Sequence, residues 1–387
     1  MKTRLNTIIL LLLLGFMISI IDTSSQRVTA GVSADSPNEY PTLHAYTPHG
    51  PIYIDYDDNF TDYGFPGTGT PGDPFRIENY NITVSGDYPI LFSGNNTKHF
   101  VIQNCFIKSD TNYGIYLGKY YDMGEGTVNI LDNIIIMTVY DVGIFLDGGN
   151  YSIISGNSVT SSDYCIWLQN SFGSFVSENV ILELGDDGLV LENSDNSTIS
   201  GNTCVGGYFG IHTDKSSNLL INHNNCTHNI IGIYISDGTN NMVTNNIVVN
   251  NDYLGIETFY CEDTVFRNNL FQDNGEYGIL VGYNSDTNII HHNAFINNNL
   301  AGMSQAKDDG ANNIWYDDTI NEGNYWYNGT IASSSYFIDG TAGSVDPYPL
   351  GSIPEISEYT STYLILTIFL GFLAIPLIYS INRKRNN

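Results

Sequence analysis

Two columns of residues recur in step along most of the chain. Glycine stands at Gly114, Gly143, Gly188, Gly210, Gly232, Gly255, Gly278 and Gly302, with Cys165 in the slot between Gly143 and Gly188. After a first gap of 29 residues the steps are 22, 23, 22, 22, 23, 23 and 24. Asparagine keeps the same beat at Asn104, Asn133, Asn157, Asn179, Asn202, Asn224, Asn246, Asn269 and Asn293. A fixed period of this length is the signature of stacked, nearly identical coils.

Between the columns the chain alternates with period two, as half-buried strands do. One residue after the glycine come Ile144, Ile166, Leu189, Ile211, Ile233 and their equivalents. Three residues before the asparagine come Val101, Ile130, Ile154, Val176 and Ile199, and two after it Phe106, Ile135, Val159 and Ile181. These columns predict one continuous core.

A coil of 22–24 residues is too short for a strand plus a long helix, but it suits two or three short strands and tight turns. Each strand then pairs in parallel with its copy one coil on, at ~4.8 Å. The fold class expected is all-β, a parallel β-helix solenoid of about nine to ten coils, a rod on the order of 45 Å long. Glycine suits a corner where φ is positive or the backbone is crowded. Asparagine tolerates the left-handed conformation, and its stacked amides can bond along the rod.

The remaining segments divide as follows. Residues 1–30 read as a signal peptide, with Lys2 and Arg4 before the apolar run Ile8–Ile21 and small residues at Val28–Ala30. A permanent N-terminal anchor is the other reading. Residues 31–89 form an N-terminal capping region, 90–316 the β-helix, 317–350 a C-terminal capping segment and 351–361 a stalk. Residues 362–381 include the uncharged run Tyr363–Ser380, about long enough for a transmembrane helix. A basic tail, 382–387, follows and holds the body of the chain outside the cell. Seven glycosylation sequons, at Asn59, Asn81, Asn95, Asn150, Asn196, Asn225 and Asn328, fit an exported glycoprotein.

Charge narrows the partners. Without Asp22 and the six basic residues near the termini (Lys2, Arg4, Arg27, Arg383, Lys384, Arg385), 40 acidic and 7 basic side chains remain. That excludes nucleic acid as a partner; it suits high salt, cation binding or solubility. The five cysteines lack the spacing of a zinc site. Cys204 and Cys226 share one inward column on adjacent coils, which leaves a disulfide and a stacked pair of thiols both open.

With "EGNYWYN" at Glu322–Asn328 and "DPYPL" at Asp346–Leu350, the repeat resembles the NosD-type right-handed parallel β-helix proteins of the pectate-lyase-like superfamily. The resemblance spans roughly residues 50–350. It implies a right-handed helix, and a function among polysaccharide lyases, hydrolases, carbohydrate-binding modules and accessory proteins. Where such proteins often carry an acidic "DGDGIGD"-like stretch, this chain has "GTIASSSYFIDGTAGS".

Two outward columns carry candidate chemistry. Two residues after the glycine stand Tyr116, Phe145, Trp167, Val190, His212, Tyr234, Glu257 and Leu280. Of these, Tyr116, Phe145, Trp167, His212 and Tyr234 are candidate ligand-binding residues, because stacked aromatics make a platform for sugar faces; cross-strand packing is the plainer explanation. Two residues before the glycine stand Asp141, Asp163 and Asp186, with Asp187 next in "GDDGLVL". Asp141, Asp163 and Asp186 are a candidate Ca²⁺ site. Asp163, Asp186 and Asp187 are candidate catalytic residues of glycoside hydrolysis. Aspartate also simply favours such turns. "GDDGLVL" resembles the double-aspartate phrase of polygalacturonases, whose "GHG" and "RIK" are absent here.

The few basic residues lie outside these columns, which argues against lyase chemistry on acidic sugars. The NosD resemblance raises copper, with His223, His228, His291 or His292 and Met242 or Met303 as ligands, but their columns do not converge. The leading expectation is a membrane-anchored cell-surface β-helix that binds carbohydrate or another surface polymer without turnover. A glycoside hydrolase using the aspartates and a structural or adhesive surface protein are the alternatives.

Overall fold

The computed structural model describes residues 46–356, apart from positions 95, 111, 119–125, 139–140, 162, 184, 300–301 and 303. The expected signal peptide, transmembrane helix and basic tail lie outside the described residues. Each coil runs through three short strands, and strands three apart in sequence pair in parallel. They build sheets of 12, 11 and 10 strands. The glycine sheet contains Val142–Asp147, Tyr164–Gln169, Asp187–Glu192, Phe209–Asp214 and Ile231–Ser236. Next along the coil comes a sheet of three- and four-residue strands such as Ile153–Ser155, Phe175–Ser177 and Thr198–Ser200. The third follows the asparagine column, with Ser158–Ser161, Val180–Glu183 and Thr203–Val205.

Alternation delivers the inward columns to one core. Ile166, Leu189, Ile211 and Ile233 are in register on successive coils and fully buried, as are Ile154, Val176, Ile199 and Ile221. Cys204 pairs in register with Cys226; both are buried free thiols.

The asparagine column is a ladder. From Asn133 through Asn157, Asn179, Asn202, Asn224, Asn246, Asn269 and Asn293 to Asn324, each side-chain amide donates to the next coil's carboxamide oxygen at 2.9–3.0 Å. That oxygen also accepts the preceding asparagine's backbone N–H. In a buried corner where water cannot serve, the ladder satisfies the turn's polar groups. A second ladder, Asn229–Asn251–Asn274–Asn298, runs beside the glycine sheet and ends on Gln305.

Three sequence expectations change. The left-handed residue is the one before each ladder asparagine from Asn133 to Asn293, for instance Asp132, Gly156, Glu178, His223 and Asn245. Asn104 has φ 50° and so stands at that left-handed position; Cys105 takes the ladder slot and donates its N–H to Asn133 Oδ1 at 3.0 Å. The first coil is therefore shifted by one residue: Ile102 and Ile107, rather than Val101 and Phe106, pair with the inward Ile130 and Ile135. Thirdly, no strand glycine from Gly114 to Gly278 has positive φ. Crowding selects them: a Cβ on Gly188 would lie 2.6 Å from the Gly210 carbonyl oxygen, and one on Gly210 2.6 Å from that of Gly232.

The stack also begins earlier than residue 90. Thr47–Pro48, Ile52–Ile54, Phe75–Glu78 and Tyr80–Thr83 already belong to the three sheets. The N-terminal plug is the short helix Asn59–Asp62, whose buried Phe60 stacks on Phe75 at 4.7 Å and meets Phe100 at 5.5 Å. At the other end Trp326 stacks between Phe295 (4.2 Å) and Tyr336 (4.0 Å). The buried Asp346 of "DPYPL" fixes that cap. It accepts hydrogen bonds from the Trp326 indole at 2.8 Å and from the Asn324 and Tyr348 backbone N–H groups at 2.7 and 3.0 Å.

Candidate functional site

The aromatic row is in register as expected, Tyr116 beside Phe145 beside Trp167, then Val190, His212 and Tyr234. It is not a flat platform. Phe145 is only 7% exposed, stacked on Tyr116 at 5.2 Å and edge-on to Trp167 at 5.0 Å. Tyr113 and Tyr164 close in from the neighbouring outward row. The Trp167 indole N–H is buried and meets no acceptor among the described residues. Further on, Phe209 lies flat on Tyr234 at 4.5 Å and edge-on to His212 at 5.0 Å. An outward strand face is wide enough for two rows of rings, and the rows cover each other.

The acidic column gathers more. The glycine sheet pairs Tyr164 with Asp187 across adjacent coils. His212, one coil further, reaches back so that its Nδ1 lies 2.8 Å from Asp187 Oδ2. Asp187 Oδ1 accepts the Phe209 N–H at 3.3 Å. Asp187 is buried, while Asp163 and Asp186 are half-buried. Burial pushes the Asp163 carboxyl up, and the charges of Asp186 and Asp187 add to it. Burial and Asp187 likewise raise Asp186, against a hydrogen bond from Tyr164 and the nearby His212. The Tyr164 phenol is driven well above its ordinary value, first by burial and then by the three carboxylates.

This arrangement separates proton donors from proton acceptors. A carboxylate oxygen accepts, so in the Asp187–His212 contact the imidazole donates through Nδ1, which leaves Nε2 as the ring's acceptor. Asp163 and Asp186 hold their protons more tightly than ordinary aspartates, the direction a proton donor needs. Tyr164 stays a neutral phenol. Asp141, from the expected Ca²⁺ row, is buried. Among the described residues no three His, Cys, Asp or Glu side chains are grouped to hold a metal ion, neither in that row nor around the histidines considered for copper.

The sequence pattern picked out Asp163, Asp186, Asp187 and His212, but as members of two separate columns. It missed Tyr164. The Asp187–His212 pair joins positions 25 residues apart, one coil plus three, a diagonal that column-by-column reading does not inspect.

The fold and this outward face define a class. The chain belongs to the family described as "Right handed beta helix region", which matches residues 67–205 and 164–320. Among solved structures it is similar to the Mannuronan C-5 epimerase AlgE4 A-module of Azotobacter vinelandii, with a TM-score of 0.53 and 13% identity over 75% of this chain and 100% of that one. The AlgE6 A-module of the same organism gives a TM-score of 0.45 and 13% identity over 75% and 98%. DFA-IIIase from Arthrobacter chlorophenolicus gives 0.44 and 10% over 70% and 77%. At such identities the likeness is one of fold. No curated protein matches the sequence significantly. The NosD type is not singled out.

Proposed function

We propose that the protein is a cell-surface, membrane-anchored β-helix that binds a neutral polysaccharide on the glycine sheet and cleaves it by general acid–base catalysis. The observation that carries this reading is the Asp187–His212 pair beside two carboxyls whose proton affinity is raised. In this scheme His212 Nε2 takes a proton from the attacking water, and Asp187 holds the imidazole in place. Asp186, or Asp163 beside it, protonates the departing glycosidic oxygen. A mannuronan epimerase on the same fold makes a polysaccharide the natural class to test. The excess of 41 acidic over 13 basic residues favours a neutral one. Surface anchoring rests on the apolar run Tyr363–Ser380 and the basic tail after it.

The test is release of reducing ends from neutral polysaccharides by the full-length protein. Asp186→Asn and His212→Gln should each lower the rate by about a hundredfold or more. Retention of a polysaccharide without any release would favour binding without turnover. Unchanged rates in both variants would remove the assignment.

A further inference from the structure

The acidic column does not end with the acids. Two residues before each column glycine the chain reads Asp163, Asp186, Tyr208, Ile230, Tyr253 and Glu276. The backbone stacks these positions on one another. Tyr208 N–H donates to the Asp186 carbonyl, Ile231 N–H to that of Tyr208, Tyr253 N–H to that of Ile230 and Glu276 N–H to that of Tyr253, at 2.5, 2.9, 3.0 and 2.6 Å.

Their exposure sets them apart from the aromatic row of the sheet. Tyr208, Ile230 and Tyr253 are 44%, 39% and 43% exposed, against 7% for Phe145. Tyr208 is braced edge-on by Phe209 at 4.7 Å, which itself lies flat on Tyr234. Tyr253 is tied to the side chain of Glu276. The tyrosines are thus held outward, two coils or ~9.6 Å apart, a span that two linked hexoses bridge. On the other side of the acid cluster the column holds the buried Asp141 and then Asn112, exposed but without a ring.

We infer that this corner column seats a polysaccharide chain, with Tyr208 and Tyr253 stacking on sugar faces, Ile230 filling the step between them, and the chain running from the acid cluster toward the C-terminal cap. Tyrosine presents an apolar face and a polar rim, which matches a sugar's apolar face and hydroxyl edge. Continuity identifies the occupant: the first exposed ring follows Asp186 in the same column, one coil on, so a chain cleaved at the acids lies over the tyrosines. The bound stretch extends to one side of the cleavage point only. The inference rests on the acid–base reading for what happens at Asp186, but the binding strip has its own readout.

The experiment uses full-length protein, its Tyr208→Ala/Tyr253→Ala variant and a control, Phe175→Ala, whose ring is 52% exposed on a different sheet. Affinity electrophoresis in gels carrying starch, galactomannan, β-1,3-glucan or xylan measures retention, and reducing-end release measures turnover. The double variant should weaken retention and raise the polymer KM about tenfold or more. The control should match wild type. Retention lost only in the double variant, with no turnover in any protein, upholds the strip and removes the acid–base reading. Turnover present but insensitive to the double variant does the reverse. Equal losses in the control, or retention by none of the gels, overturns the strip.

Discussion

Two corners of the rod run its length side by side and obey different rules. The asparagine corner repeats one residue from Asn133 to Asn324, every amide buried and each as far as Asn293 bonded to the next coil. The corner before the glycine sheet changes from aspartate to tyrosine, isoleucine, tyrosine and glutamate along Asp163, Asp186, Tyr208, Ile230, Tyr253 and Glu276. The first corner is closed to water, so only a side chain that satisfies its neighbours fits. The second turns Tyr208, Ile230 and Tyr253 to solvent, while the shorter Asn229–Asn298 ladder beneath bonds its backbone. In a solenoid of this kind, the place where the repeat is kept marks what the fold needs. The exposed place where it is abandoned marks what the protein can use.

The sharpest way to break this contrast is within the asparagine ladder. Asn202 donates to Asn224 and the Val176 carbonyl, and accepts both the backbone and side-chain N–H of Asn179. Asn202→Leu strands several of these groups in a dry corner. It should cost about 3–5 kcal/mol in urea unfolding. A cost near zero would mean that water reaches the corner.

Next come the two kinds of aromatic. Phe145→Ala removes a covered ring between Tyr116 and Trp167 and should cost about 2–4 kcal/mol. Tyr208→Ala removes an exposed ring and should stay within about 0.5 kcal/mol of wild type. Equal losses at the two sites in thermal or urea unfolding would erase the distinction between packing row and binding column.

The smallest expected effect is a pH dependence. Asp163 and Asp186 hold protons more tightly folded than unfolded. Over the interval between their unfolded and folded values the native state binds more protons, so their contribution to stability is full at low pH and lost as pH rises through the folded values. The melting temperature of wild type should therefore fall more steeply than that of Asp186→Asn as pH climbs out of the acid range. The reverse slope would place these carboxyls in a stabilising ionised network.

Much of this was legible from the period. Inward columns from Ile130 onward, the stacked amides and the buried cysteine pair follow from alternation and a fixed coil length, because a one-residue slip would turn each strand inside out. The first coil was misread because Asn104 and Cys105 are adjacent, and an asparagine at the left-handed turn position looks like one in the ladder. The outward face was harder. Periodicity tells that Phe145 points out of the core, but not that Tyr116, Tyr113 and Trp167 cover it. Nor does it show His212 reaching back across a coil to Asp187.

The central claim, that Asp163, Asp186 and Asp187 act on one another as a single acid–base centre with His212, is most directly tested by titrating the aspartate carboxyls. Carboxyl-¹³C-labelled protein, with Asp163 and Asp186 assigned by substitution, would report each midpoint. Both should lie above the ordinary 3.8, and Asp187→Asn should bring both down. Midpoints at the ordinary value, unmoved by Asp187→Asn, would contradict the account.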